Sequence, residues 1–158
     1  DRLLSRIDSY TDKPVFLKIP ADISESQTDA ILEVCGGHRV HGIVCSNLTK
    51  KRDSLKIVEA DIPPRGGISG RPVQALSDEQ IRYIYQRTRW RYSIIGVGGV
   101  FTAEDAYRKI RLGASLVQLM TGLIYRGPQL IGQINRGLVA LLKRDGFSSI
   151  SDAVGVDR

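Results

Sequence analysis

The sequence predicts an α/β protein with four parallel strands, and three features of the chain carry that prediction. Apolar runs rich in β-formers occur at four places, and stretches with helical spacing separate them. Each run is almost continuously apolar, which is typical of parallel strands covered on both faces. The alternation of strands and helices implies right-handed crossovers. An open doubly wound sheet and a barrel both fit this order, and four units are half of an eight-stranded barrel.

The four predicted strands cover residues 15–19, 42–46, 93–97 and 115–119. Five helices are predicted around them, the first over residues 2–9 and the last over residues 130–143. Capping boxes, in which a Ser side chain and a polar residue three positions later satisfy the first backbone amides, predict helix starts at Ser24 and Ser77. Thr102 is predicted to begin the fourth helix in the same way.

Composition indicates one globular domain and excludes several classes of protein. The 158 residues are 42% hydrophobic and 25% charged, which is the globular range. No apolar run reaches the roughly 18 residues that predict a membrane span. Cys35 and Cys45 are too few for a zinc site, so we expect buried, reduced thiols and no metal.

The net charge of +6 is compatible with an anionic partner. The basic residues are nevertheless spread among the helices, and Lys50, Lys51 and Arg52 form the one tight run. We interpret that run as a solvated loop and expect no nucleic-acid partner.

Small residues follow the last two predicted strands. Gly98 and Gly99 come after the third strand, and Met120, Thr121 and Gly122 come after the fourth. Glycine lets backbone amides approach an anion closely, and a helix that begins there adds its dipole. Two such turns after the last strands of a barrel form the phosphate site typical of that fold. We therefore predict a phosphate site, with two ordinary tight turns as the alternative.

Polar residues also occur near the ends of the first two strands. Lys18 lies in an apolar run, and it either meets an anionic ligand or extends to solvent from the strand end. Asn47 is either a ligand-binding amide or a turn residue. The connection over residues 48–76 is long and glycine-rich, which favours a functional loop. His38 and His41 flank the start of the second strand, at the opposite end, where no catalytic role is expected.

Five segments come in the order and spacing of dihydroorotate dehydrogenases, and the chain resembles that family over essentially its whole length. They are residues 18–22 (KIPAD), 46–47 (SN), 66–72 (GGISGRP), 94–99 (IIGVGG) and 113–119 (GASLVQL). Residues 125–128 (YRGP) and the stretch 146–155 are similar to the quinone-linked, membrane-associated class.

The resemblance implies the C-terminal half of an FMN-containing (β/α)8 barrel of the TIM type. It also implies oxidation of dihydroorotate to orotate in pyrimidine biosynthesis, with a quinone as the electron acceptor. The enzyme would be peripheral to an inner membrane, on the cytoplasmic side in bacteria or in mitochondria of eukaryotes, and this chain itself would be soluble.

The resemblance also assigns residues. Lys18 would hold the pyrimidine edge of the flavin, Ser46 would contact the flavin, and Asn47 would bind the substrate. The remaining flavin contacts would be Ser69 and Gly70 along the cofactor and Gly98, Gly99, Met120 and Thr121 around its phosphate. The chain departs from the family at Leu48, a substrate position where a Thr is usual, at Met120, where a Tyr is usual, and at Pro20-Ala21, where Ala-Pro is usual.

The catalytic serine base and the membrane-docking helices of the family correspond to positions upstream of Asp1. We therefore expect one domain over residues 1–158 without the N-terminal half, no catalytic residue in this chain, and no activity of the chain alone. Its bare strand edges would meet the other half or a second copy. Two alternatives are another phosphate-binding barrel, such as a sugar-phosphate isomerase or nucleotide dehydrogenase, and a non-catalytic half-barrel.

Overall fold

A computed structural model describes residues 1–54, 56–58 and 61–157, and it contains one parallel sheet. The strands are β1 (Val15–Ile19), β2 (Val40–Cys45), β3 (Ser93–Val97) and β4 (Leu116–Gln118), in the spatial order β1-β2-β3-β4. All three neighbouring pairs are parallel, which confirms the predicted strand number and direction. Sequential order without reversal is the arrangement of a barrel segment rather than of a doubly wound sheet.

Seven α-helices accompany the sheet in the described part of the chain. They are α1 (Arg2–Tyr10), α2 (Glu25–Gly36), α3 (Gln74–Thr88), α4 (Ala103–Leu112), α5 (Thr121–Arg126), α6 (Gln129–Asp145) and α7 (Ile150–Ala153), with a 3-10 turn at Arg71–Val73. The short helices α5 and α7 were not predicted. A capping box formed by Ser149 and Asp152 begins α7, so its sequence did contain a recognisable start.

Two of the predicted helix starts are confirmed and one is wrong. Ser24 caps α2 through a complete capping box, and Thr102 does the same for α4. Helix α3 instead begins at Gln74, so Ser77 lies inside its first turn. Ser77 is fully buried, and its hydroxyl contacts the backbone carbonyls of β2 and β3 rather than the amides of its own helix.

The hydrophobic core lies between the sheet and the helices α3, α4 and α6. Ile43 and Ile94 from the central strands pack with Ile81 and Ile84 of α3, and all four are at most 1% exposed. The expectation that every strand is covered on both faces is wrong for the outer strands. Phe16 in β1 is 42% exposed and Leu116 in β4 is 60% exposed, so the described residues leave part of a face open on each outer strand.

Polar side chains at the amino ends of β1 and β2 are bonded to one another. His38 Nδ1 lies 2.7 Å from a carboxylate oxygen of Asp8, which belongs to α1. His41 Nδ1 accepts the Val15 amide at 3.1 Å. These contacts give both histidines structural roles at the end of the sheet where no catalytic role was expected.

Candidate functional site

A cavity of about 190 Å³ lies at the carboxyl ends of the four strands. Its walls include every residue that the sequence nominated for cofactor or substrate, although those residues come from five separate segments. They are Lys18, Ser46, Asn47, Leu48, Ser69, Gly70, Gly98, Gly99, Met120 and Thr121. The structure therefore brings the nominated residues together, while their individual roles stay predictions.

Lys18 is the exposed cation of this cavity. It occupies the fourth position of β1, opposite Val44 of β2, and its side chain is exposed. No carboxylate among the described residues pairs with its ammonium group. The lysine thus extends from the strand end, and it extends into the cavity, so a ligand would meet an unneutralised positive charge.

Backbone hydrogen bonds fix the residues that follow β2. The Ser46 amide donates to the Val97 carbonyl at 3.0 Å, and the Asn47 amide donates to the Ile19 carbonyl at 2.9 Å. The Asn47 side-chain oxygen accepts the Leu48 amide at 2.9 Å. The side-chain NH₂ of Asn47 is left as the group that can donate to a ligand.

A contact that the sequence did not predict holds the loop after Asn47. Asp22 accepts a hydrogen bond from the Thr49 hydroxyl and another from the Lys50 amide, the latter at 2.6 Å. Thr49 is 1% exposed and pairs with Ile68 through two backbone hydrogen bonds. Leu48 is thereby held over the cavity, 41% exposed. Asp22 lies in the KIPAD segment, but its partner is distant in sequence, and spacing alone does not identify such a pair.

Gly98 and Gly99 form a tight turn between β3 and α4. Their φ angles of +127° and +68° lie in the region that favours glycine. A Cβ atom at Gly98 would lie 2.8 Å from Val73 Cγ1, and one at Gly99 would lie 2.5 Å from Gln74 Cβ. The glycines are thus required for close packing against the start of α3, not because a side chain there would point at a ligand. In the part of the chain that the structure describes, the amides of Gly98 and Gly99 have no protein acceptor.

Two helices begin near this turn, and they differ in what their first amides contact. The Asp105 carboxylate accepts the Phe101 and Thr102 amides at 3.0 and 3.2 Å, so the start of α4 already carries an anion. Those two amides of α4 are therefore satisfied within the protein, and a contribution of its dipole to ligand binding stays a prediction. Helix α5 has no side-chain cap, and its first residues Thr121 and Gly122 line the cavity.

A second groove of about 500 Å³ adjoins the cavity and shares Ser69, Gly70 and Thr121 with it. The Ser69 and Thr121 hydroxyls are 2.8 Å apart, which connects the long loop to α5. Basic side chains from the loop line this groove, namely Arg52, Lys56, Arg65 and Arg71. Arg52 donates to the carbonyls of Pro63 and Gly66, so the basic run organises the loop as well as facing solvent.

The cysteines offer no nucleophile to the cavity. Both are buried free thiols, as the sequence predicted. Burial raises the pKa of Cys45 to about 12, against the opposing effect of the nearby Lys109 cation. The thiol is therefore protonated at neutral pH and unreactive.

The described residues contain neither a candidate metal site nor a candidate membrane span. No cluster of three or more His, Cys, Asp or Glu side chains capable of holding a metal ion occurs among them. Among the same residues, no helix has both the length and the apolar character needed to cross a bilayer.

Known proteins are similar to this chain in sequence. The family model of dihydroorotate dehydrogenase matches residues 1–142. The dihydroorotate dehydrogenase (quinone) of Crocosphaera subtropica is 46% identical over 98% of this chain and 42% of its own length. That of Anaeromyxobacter dehalogenans is 46% identical over 92% of this chain and 40% of its own length.

Solved structures agree with the sequence relatives. The ligand-free enzyme of Eimeria tenella superposes with a TM-score of 0.84 at 34% identity, over 90% of this chain and 39% of that one. Its complex with ferulenol superposes with a TM-score of 0.82. The chain spans less than half the length of these proteins and matches the C-terminal part of the curated relatives, so its four strands are a half-barrel. From its fold and from the family model together, the chain belongs to the dihydroorotate dehydrogenase family.

Proposed function

We propose that this chain is the flavin-phosphate-binding half of a quinone-linked dihydroorotate dehydrogenase that uses FMN. The whole enzyme would oxidise dihydroorotate to orotate in pyrimidine biosynthesis and pass the electrons to a quinone at an inner membrane. The observation that carries the proposal is the convergence on one cavity of an unpaired lysine, a free side-chain amide and two turns with unsatisfied backbone amides.

The phosphate of FMN fits the end of the cavity formed by β3 and β4. The amides of Gly98 and Gly99 and the uncapped start of α5 would donate hydrogen bonds to it, because no carboxylate among the described residues accepts from them. The basic groove beside Ser69 and Gly70 adds positive potential at the same end.

The isoalloxazine ring would lie toward β1 and β2. A cation at its pyrimidine edge favours negative charge on the reduced ring, and Lys18 is the unpaired cation available there. Bound FMN would supply the hydride acceptor that no protein side chain provides. Ser46 is 3% exposed and its backbone is bonded to β3, so it offers a rigid wall for the ring.

Dihydroorotate would meet the side-chain amide of Asn47, whose donor is free in this fold. Leu48 places an apolar group beside it, so substrate would be held through fewer polar contacts than a threonine would allow. No catalytic base is assigned to this chain, and the base is expected from the remainder of the barrel.

The outer strands indicate how the barrel is completed. β1 and β4 each have one unpaired edge, and Phe16, Leu116 and Ile131 are between 42% and 60% exposed near them. Unpaired edges with apolar side chains associate readily. The N-terminal half would cover them in the whole enzyme, and in its absence a second copy would, so light scattering of the isolated chain is expected to show a dimer or larger species.

Flavin titration of the 158-residue chain tests the proposal. FMN and riboflavin differ only in the phosphate, so we expect FMN to bind measurably tighter, by flavin fluorescence or equilibrium dialysis. Ribose 5-phosphate serves as the third ligand. If it competes as strongly as FMN, or if neither flavin binds, this half does not bind the flavin phosphate and the proposed role is wrong.

A further inference from the structure

A fully buried lysine lies beneath the floor of the cavity. Lys109 belongs to α4 and is 0% exposed. Its ammonium group is 2.7 Å from Asp78 Oδ1 and 2.9 Å from the Ser77 hydroxyl, both on α3. Its aliphatic stem packs on Gly96 of β3, where an added Cβ would come within 3.1 Å of Lys109 Cδ. No part of the proposed flavin chemistry uses this cation.

Ser77 connects Lys109 to the carboxyl ends of the two central strands. Its hydroxyl lies 2.8 Å from the Val97 carbonyl and 3.1 Å from the Cys45 carbonyl, and it has one proton to donate to them. Because Lys109 donates to the same oxygen, that proton is directed away from the ammonium group and toward the carbonyls. The Val97 carbonyl also accepts the Ser46 amide. One hydroxyl therefore helps to set the backbone on both sides of the cavity floor.

Lys109 is the buried end of a chain of alternating charges. Asp78 pairs with Arg108 at 2.8 Å, Arg108 with Asp105 at 3.3 Å, and Asp105 with Arg71 at 3.0 Å. Asp105 also accepts Gln74 Nε2 at 2.9 Å, and the same Gln74 nitrogen donates to the Gly99 carbonyl at 2.7 Å. Lys109 is thus linked to Val97, directly before the Gly98–Gly99 turn, through Ser77. Asp105 is linked to the Gly99 carbonyl through Gln74.

Burial of this cation is unfavourable in itself. Desolvation lowers the pKa of Lys109, and the Asp78 carboxylate opposes that effect. Replacing a buried ion pair as a whole by apolar side chains of similar volume is often neutral or stabilising, whereas removing one partner leaves the other charge buried without compensation. Packing alone therefore does not account for the lysine, whereas a hydrogen-bonded floor for the turn does.

We propose that Lys109 is a positioning residue for the phosphate end of the site, acting through Ser77 to hold Val97 and the Gly98–Gly99 turn. The inference rests on the proposed function, because it takes the ligand of that turn to be the phosphate of FMN. Lys109 itself would touch neither flavin nor substrate.

Two variants and a control separate positioning from general stability. Lys109→Met keeps the volume and removes the charge, and Ser77→Ala removes the connecting hydroxyl while leaving the Lys109–Asp78 pair in place. Lys143→Met, on the exposed last turn of α6, is the matched control. We expect the preference for FMN over riboflavin to fall by about tenfold in Ser77→Ala and in Lys109→Met and to be unchanged in the control. Equal weakening of both flavins would overturn the inference, because a purely structural role does not distinguish them.

A second readout requires no flavin. Hydrogen–deuterium exchange of the peptide that contains Ser46, whose amide donates to the Val97 carbonyl, should accelerate in Ser77→Ala, while peptides of α1 exchange as in the unaltered chain. Unchanged exchange at Ser46 would contradict the inference even if FMN binds. Accelerated exchange in a chain that shows no preference for FMN would uphold the positioning role of Lys109 through Ser77. It would also show that the positioned turn does not bind the FMN phosphate, which contradicts the proposed function.

Discussion

Both ends of the sheet contain polar groups, but among the described residues those groups have protein partners at the amino ends, and several lack them at the carboxyl ends. At the amino ends, His38, Arg39 and His41 each contact a carboxylate or a backbone group. At the carboxyl ends, Lys18 and the amides of the Gly98–Gly99 turn have no partner among the described residues. Unsatisfied donors, rather than the presence of histidine or arginine, therefore distinguish the end that we propose binds a ligand.

The largest expected effect concerns catalysis by the chain alone. The carboxyl-end residues bind and orient, but no general base is assigned among them, and such a base contributes about 10²–10⁴-fold. We expect dye-coupled oxidation of dihydroorotate, with FMN and quinone added, to be at least about a hundredfold below that of a full-length relative. Activity within tenfold of the relative would show that this half contains what we assign to the other.

Substitution of Gly99 by Val should destabilise the fold even when no ligand is present. The new side chain would overlap Gln74 and be strained at φ +68°, so we expect a loss of about 2–4 kcal/mol in the free energy of unfolding. Gly146→Val is the matched control, because Gly146 has φ +77° but nothing within 4 Å of an added Cβ. Urea unfolding of both variants isolates the steric part, and equal losses would mean that the turn is not packed against α3.

Lys18→Ala and Arg39→Ala test the carboxyl end and the amino end of the sheet with one variant each. Lys18 is exposed and unpaired, so its loss should leave unfolding unchanged and, in a complete enzyme, slow flavin reduction more than it weakens FMN retention. Arg39 contacts Asp12 and Asp8, so its loss should lower the midpoint of unfolding and leave flavin reduction unchanged. Stopped-flow kinetics measure the rate of flavin reduction, and thermal melts measure the midpoint of unfolding. Unchanged reduction in the Lys18 variant would remove its assigned role.

The smallest expected effect is the acid dependence of the amino end. The hydrogen bond from His38 is the main cause of the lowered pKa of Asp8, against desolvation. The stability contributed by Asp8 is therefore complete above its unfolded pKa of about 3.8 and is lost as the pH falls through the lowered folded value. Asp8→Asn should remove that slope from acid unfolding curves without altering the preference for FMN. A slope that persists in Asp8→Asn would assign it to another carboxylate.

Local motifs predicted more of this molecule than long-range contacts did. The four strands follow from apolar runs, and most residues around the cavity follow from the resemblance of short segments to a known family. Ser77 was misread as a helix cap because its sequence satisfies that pattern, while its real partners lie on β2 and β3. The sequence predicted the helix start at Thr102, but it did not predict that Asp105, three residues on, also contacts Gln74 of α3 and Arg71 of the preceding turn. These hydrogen-bond partners depend on tertiary packing, which the spacing of residues in a local motif does not predict.

The most direct test of the account is to map FMN on the chain by amide NMR. We predict that titration shifts the resonances of Gly98, Gly99, Thr121 and Gly122, at the carboxyl ends of β3 and β4, and leaves those of His38 and Arg39 unmoved. Riboflavin should shift residues near Ser46 but not the Gly98–Gly99 turn. Shifts concentrated at the amino ends of the strands, or a turn that responds equally to both flavins, would contradict the assignment of this half-barrel to flavin phosphate binding.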